Sequence, residues 1–334
     1  MMNKAMETNL ILLGSERSGS NLLRVLLGNH SQIEAPVPVH FCDAFCGLIP
    51  RYGGLSHKDN AVRLIEHMLR YANSDFSDWK LCAEPSDLVN DYHVDSFAAA
   101  FNAVHSEKCK QSGKAAWFCK DNHMNKYAFQ LLSEFPGLRF VHLYRDPRDQ
   151  VASWMRNPLF LLTPRKAVKK WVEEQESIRQ LIEVWNLPTF GVGYEDLVQD
   201  PESTMTTLLN WLDLDAENAC FETSGNNEEA SKLPQWENLK KPIMRDNYNQ
   251  YVDVLSTEDV ALIEHYARDS MEWLGYRSSL KKTVNFKGFL ARLHEYRTAR
   301  INKSKVREGY ATGRYSVIEA KRAIRKGILA ELES

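Results

Sequence analysis

The chain alternates short apolar runs with longer segments whose apolar residues recur three and four positions apart. Leu10–Leu13 is unbroken and apolar, the pattern of a strand covered on both faces. Leu22, Leu23, Leu26 and Leu27 behind it keep helical spacing. Ala115–Cys119, Arg139–Tyr144 and Thr189–Tyr194 read as three further strands. Between them the pattern predicts a helix capped by Asp59 or Asn60 and carrying Val62, Ile65, Met68 and Leu69. Another begins at Asp95-Ser96 with Phe97, Phe101 and Val104, and one beyond Lys120 runs to Phe135. Pro147 fits the first turn of a helix capped by Asp146, and Thr163-Pro164 opens the clearest amphipathic helix, through Trp171 to Trp185. Ser256-x-x-Asp259 is a capping box for a helix ended by Gly275. Strands alternating with helices imply an α/β fold of three layers, with a parallel central sheet and a site at the carboxyl ends of its strands.

The first strand and helix flank Gly14-Ser15-Glu16-Arg17-Ser18-Gly19-Ser20. A glycine-rich turn between a buried strand and a helix N-terminus presents free N–H groups and the positive end of the helix dipole, which together cradle phosphate. Gly14-x4-Gly19 keeps the spacing of a nucleotide-binding P-loop, but Ser20-Asn21 stands where Lys-Ser/Thr would hold the phosphates and magnesium. The topology is therefore P-loop-like, and no metal is expected. Pro36 and Pro38 make the following segment extended, so that it can fold over the cradle.

Arg17, Lys120 and Arg145 stand at three strand ends, and Tyr194 at a fourth. Arg145 and Ser153 are eight apart, a guanidinium and a hydroxyl suited to one phosphate monoester. Arg17 and the loop amides suit another. Two separated phosphate sites point to a nucleotide phosphorylated at both 3′ and 5′ positions. Arg148, Asp149 and Glu195 read as structural ion pairs, and Trp154 and Trp171 as packing.

The 334 residues carry a net charge of −2, which argues against a nucleic-acid partner. The charge is uneven: from Arg277 onward 15 Lys+Arg face 5 Asp+Glu, while the remainder has 27 against 39. Six cysteines show no zinc-type spacing and read as free thiols in a reducing compartment. With no signal peptide and no membrane-length apolar run, a cytoplasmic protein is expected. The basic tail carries one apolar stripe, Phe286, Phe289, Leu290, Leu293 and Tyr296, and a second from about Val317 with Ile324, Ile328 and Leu329. It suits either a peripheral contact with an anionic membrane or packing on the acidic body or a second subunit, as in a homodimer.

The motifs resemble those of sulfotransferases. Ser15–Leu23 looks like the 5′-phosphosulfate loop of the bacterial and tyrosylprotein branches, and Tyr144–Ser153 looks like the 3′-phosphate motif. Lys120-x-x-His123 with Phe135–Phe140, Tyr194–Leu197 with Asp200-Pro201-Glu202, and Trp236–Pro242 with Leu274-Gly275-Tyr276 continue the resemblance over about residues 8–277. Residues 1–277 would form the sulfotransferase domain and 278–334 a basic helical extension. The sequence departs from the family pattern at Ser20 for Thr, at Lys120-Asp121-Asn122 for Lys-Thr/Ser/Asp-Pro, and in lacking the glutamate base of some branches.

The resemblance implies sulfuryl transfer from 3′-phosphoadenylyl sulfate to an acceptor hydroxyl without a metal. It implies that Arg17, Ser18, Gly19, Ser20 and Asn21 hold the 5′-phosphosulfate. Arg145, Ser153 and Lys241 would hold the 3′-phosphate, Tyr194 the adenine, and Lys120 the reacting sulfuryl group. His40 is the first candidate for the base that takes the acceptor proton, and His123 the second. A glycan, lipid headgroup, peptide tyrosine or small metabolite would all serve as acceptor. Two other classes share the cradle: a small-molecule kinase, which would carry lysine in place of Ser20, and a nucleotide-binding protein of the same fold without turnover.

Overall fold

The computed structural model describes residues 9–135, 137–157, 159–223, 239, 241–279, 289–313 and 315–333. Trp236 and Phe286, named in the sequence reading, lie outside them. Among the described residues one parallel sheet forms from β1 (Leu10–Leu13), β2 (Ile33–Glu34), β3 (Ala116–Cys119), β4 (Arg139–Tyr144) and β5 (Thr189–Gly193). Its order is β2-β3-β1-β4-β5. The first six helices are α1 (Ser20–Gly28), α2 (Phe41–Phe45), α3 (Ile49–Tyr52), α4 (Lys58–Ala72), α5 (Pro85–Asp91) and α6 (Phe97–Ser112). Then come α7 (Ala128–Leu132), α8 (Pro147–Arg156), α9 (Pro164–Glu183), α10 (Tyr194–Gln199) and α11 (Pro201–Trp211). The chain closes with α12 (Thr257–Tyr266), α13 (Arg268–Trp273), α14 (Phe289–Ala311) and α15 (Ser316–Glu333).

The three layers follow from the alternation of side chains along the strands. Ile11, Leu13, Trp117, Cys119 and Phe140 point into one apolar cluster with residues of α4 and α6. Leu10, Leu12, Phe118, Val141 and Leu143 point into another with Leu23, Leu26 and Leu27 of α1 and Leu208 and Leu209 of α11. A strand covered on both faces must be apolar throughout, which is why Leu10–Leu13 has no polar position. Trp154 and Trp171 are fully buried in a third cluster that joins α8 and α9 to α12.

Where the elements differ from the sequence reading, capping and register explain it. The segment from Glu34 is not wholly loop, because Ile33–Glu34 pairs with Ala116–Trp117 as a short edge strand. The helix beyond Lys120 shrinks to one 3₁₀ turn, Met124–Lys126, and α7, with Tyr127 closing the turn. The helix from Ser256 divides at Ala267 into α12 and α13, although the Ser256 cap forms as expected. The cap on α4 is His57, before both predicted residues. Ser96, Asp146 and Thr163 cap α6, α8 and α9 through their side chains, each worth about 1 kcal/mol.

The connections from β1 and β4, adjacent in the sheet, run to opposite sides. The crevice between their carboxyl ends is the topological switch point, where open α/β sheets bind ligands. All six cysteines are free. No helix among the described residues is long and apolar enough to cross a membrane.

Candidate functional site

A cavity of about 440 Å³ opens at this crevice. On one side it is lined by the turn after β1. Gly19, with φ 94, ends that turn and begins α1, which has no side-chain cap. The first amides of α1 therefore have no partner within the helix and are free for an anion. Gly19 is required for a second reason: a Cβ there would run into the Tyr194 ring. Ser20 and Asn21 line the cavity. Ser18 does not; it is fully buried, and its hydroxyl donates to Ser15 O at 2.8 Å, tightening the turn.

Arg17 and Arg145 meet at the floor. Arg17, itself at φ 70, donates from Nε to Ser153 Oγ at 3.2 Å, and Arg145 Nη1 donates to Arg17 O at 3.3 Å. Burial and then the neighbouring Arg145 charge lower the Arg17 pKa. Two guanidinium groups held this closely call for an anion between or beside them. The Arg145 guanidinium carbon stands 4.1 Å from the Tyr194 ring centroid, and its Nε is buried with no hydrogen-bond partner. Ser153 reaches the cavity through Arg17 rather than lining it. Lys241 lines the cavity from its exposed rim.

Of the segment Arg145–Asp149, only Arg145 faces the cavity. Arg148 spans Asp146 at 2.6 Å and Glu264 at 2.8 Å, tying the start of α8 to α12. Asp149 accepts the Tyr251 N–H at 2.8 Å. Arg148, and Asp149 with its Oδ2 3.8 Å from Arg145 Nη2, thus form the ion pairs expected from the sequence. Glu195 does not: it accepts the Asp146 N–H at 3.0 Å and the Tyr276 hydroxyl at 2.7 Å, and burial raises its pKa.

The opposite wall holds Lys120 and His40. Lys120 is buried, donates to Asn122 Oδ1 at 3.3 Å, and is pushed down to about 8 by burial. His40 ends the proline segment, whose alternate carbonyls are each taken by a different element. Arg24 donates to Ala35 O at 2.8 Å, Trp79 to Val37 O at 2.9 Å and Lys321 to Val39 O at 3.3 Å. This bracing holds His40 at φ 68, an uncommon backbone for a residue with a Cβ. His40 Nδ1 accepts the Asn122 N–H at 3.2 Å, so a neutral ring carries its proton on Nε2. Burial, then Lys321 and Lys120, depress the His40 pKa well below 6.5.

The second histidine stands outside the cavity lining. His123 lies between Asp43 (3.0 Å) and Glu16 (3.4 Å). Hydrogen bonds to these carboxylates raise its pKa to about 9 against the opposing effect of burial, so it is cationic at neutral pH. Burial alone would raise the Glu16 pKa, but His123 and Lys170 outweigh it and keep Glu16 ionised. Glu16, His123 and Glu174 lie close enough together to hold a cation, and the Lys170 ammonium, 2.8 Å from Glu16, supplies positive charge there.

The structure therefore gathers Arg17, Gly19, Ser20, Asn21, His40, Lys120, Arg145, Tyr194 and Lys241 around one cavity. Sequence reasoning missed Glu16, Asn122, Asn247, Phe76, Phe160 and Lys321, which also line it. Glu16 and Asn122 sit inside motifs already singled out, and their proximity to Arg17 and Lys120 was a usable signal. Nothing in the sequence marks Phe76 or Lys321.

A family model described as "Sulfotransferase family" matches residues 9–218. Among solved structures the fold is similar to the sulfotransferase domain from the curacin biosynthetic pathway, at 17% identity and TM-score 0.52, covering 82% of this chain and 99% of that one. It is also similar to the sulfotransferase domain of the Synechococcus PCC 7002 olefin synthase, at 17% identity and TM-score 0.50, covering 80% and 97%. No curated protein matches the chain in sequence. Likeness at these identities speaks to the fold. The family match covers well over half of the chain and contains the turn after β1, Lys120, Arg145 and Tyr194. The chain belongs to the sulfotransferase family.

Proposed function

We propose that the protein transfers the sulfuryl group of 3′-phosphoadenylyl sulfate to an acceptor hydroxyl. The observation that carries this reading is the pair of cationic positions joined at one floor, Arg17 beside the α1 amides and Arg145 against the Tyr194 ring, which itself packs on Gly19, with Lys241 lining the same cavity. Two anion sites flanking an aromatic ring suit a nucleotide with phosphate on both its 5′ and 3′ sides. Arg17 and the amides would take the phosphosulfate. Arg145, with Ser153 steering Arg17 beside it, would take the 3′-phosphate, and its Nε has no hydrogen-bond partner of its own.

In the transfer, the acceptor oxygen bonds to sulfur as the bond from sulfur to the bridging phosphate oxygen breaks, releasing adenosine 3′,5′-bisphosphate. Charge grows on that bridging oxygen, and Lys120 is the buried cation at hand to stabilise it. The acceptor proton must leave. His40 can take it at Nε2 once its own proton sits on Nδ1, where Asp121 Oδ1, 3.8 Å away, would accept it in place of the Asn122 contact. His123 is already protonated and anchors Glu16 instead.

The test is transfer of labelled sulfate from the donor into lipid, glycan and metabolite extracts, with and without a chelator. Label should appear in one fraction at equal rate in both. Strict dependence on magnesium, with phosphate rather than sulfate transferred, would point to a kinase.

A further inference from the structure

The last helix reaches the cavity from beyond the region matched by the family. Ile328 of α15 is 1% exposed in the main core, with Ile324, Leu329 and Leu332 packed beside it. Arg51–Glu333 (2.7 Å) and Arg70–Glu331 (3.0 Å) hold its far end. Nearer the cavity, Arg325 donates to Ala44 O at 3.0 Å. So anchored, its first turns place Val317, Ile318 and Lys321 in the cavity wall.

Lys321 donates to Val39 O, and its ammonium lies 4.6 Å from the Phe76 ring centroid. Among the described residues it meets no carboxylate at ion-pair distance; Asp121 and Asp43 attract it from further away, and burial pushes it down to about 8. One carbonyl and one ring face leave an ammonium short of partners, since it has three donors and a full charge to satisfy. The same cavity wall carries the apolar Val37, Pro38, Phe76, Phe160 and Ile318, with His40 and Lys120 near enough to feel the Lys321 charge. None of these belongs to the turn Gly14–Asn21 or to Arg145–Ser153, which leaves this cation and apolar surface for the acceptor if the donor sits on those segments.

Resting on the division of the cavity argued above, we propose that the acceptor is an amphipathic alcohol whose apolar body lies against Phe76, Phe160 and Ile318 and whose anionic group is bound by Lys321. Lys321 thereby selects the acceptor, and α15 is part of the site rather than an appendage.

The probes are ω-hydroxycarboxylates from hydroxyhexanoate to hydroxydodecanoate and their matched diols, titrated calorimetrically into the full chain saturated with adenosine 3′,5′-bisphosphate. At least one acid should bind about tenfold or more tightly than its diol, the size of one charge-assisted contact. Lys321→Gln should erase that preference, Lys321→Arg should keep it, and neither should shift bisphosphate affinity appreciably. Equal binding of acid and diol, no binding of either, or a preference that survives Lys321→Gln overturns the proposal. A fall in bisphosphate affinity in Lys321→Gln also overturns it, by moving Lys321 to the donor. Bisphosphate binding by the wild type tests the donor reading separately; if it is absent, the acid and diol titrations are still read without nucleotide.

Discussion

From Gly14 to Asn21 the chain makes an anion cradle out of consecutive residues, whereas the facing wall draws on Pro38 and His40, Phe76, Phe160, and Ile318 and Lys321, segments scattered from one end of the chain to the other. The cradle is held by its own backbone: a φ of 94 at Gly19, the Ser18 hydroxyl on Ser15 O, and the uncapped start of α1. The facing wall is held by other elements, with one donor each from α1, the segment after α4 and α15 on alternate carbonyls of the proline segment. On the proposed reading the cradle takes the donor, whose groups a local turn can supply, and the facing wall takes the acceptor, for which a wall assembled from separate segments can change one segment at a time.

The division breaks or sharpens under three substitutions. The largest effect should follow His40→Ala. Turnover should fall by about a hundredfold or more, the usual loss for a proton-transferring group, while the Kd for adenosine 3′,5′-bisphosphate moves less than about twofold. Steady-state rates beside calorimetry decide this, and a Kd that rises as turnover falls would mean that the two walls act as one.

Arg145→Ala should do the reverse. Loss of a guanidinium to an anion costs more than about tenfold in bisphosphate affinity, and the apparent KM for the acceptor should stay put. An unchanged Kd would place the 3′-phosphate elsewhere.

The smallest effect lies at His123, which secures Glu16 from behind the cavity. Its pKa is raised from 6.5 to about 9 in the fold. A raised pKa stabilises the fold fully below the unfolded value and loses that contribution as pH rises through the folded value. His123→Gln should therefore lower Tm most below pH 6.5 and progressively less up to about pH 9. A Tm difference that does not change with pH, followed by calorimetry, would show that the ion pairs with Glu16 and Asp43 contribute nothing.

Much of the fold was legible because its signals are local. Four of the five strands and the caps Ser96, Asp146, Thr163 and Ser256 stand where the pattern puts them. β2 was not, because two residues become a strand only by pairing with β3. The histidines show the same limit. Residue type made both candidates for a base; only the positions of Asp43 and Glu16 make His123 a cation, and only the Asn122 amide fixes the proton on His40. The tail is the clearest instance. The stripe Ile324, Ile328 and Leu329 packs on the body, one of the alternatives its pattern allowed, but no local signal showed that the helix would be tied down by its acidic end, Glu331 and Glu333 against Arg70 and Arg51.

The sequence by itself determined the parallel α/β fold and the cradle, since hydrophobic period, helix caps and a glycine at positive φ act over a few residues and need no distant partner. The tertiary structure alone decided which charges face one another: that Arg17 meets Arg145, that His123 is clamped by carboxylates, and that Lys321 enters the cavity. Those outcomes depend on distance through a poorly polarisable interior, where a shift of a few ångströms changes an ion pair into an unpaired charge, and no local pattern along the chain records that distance.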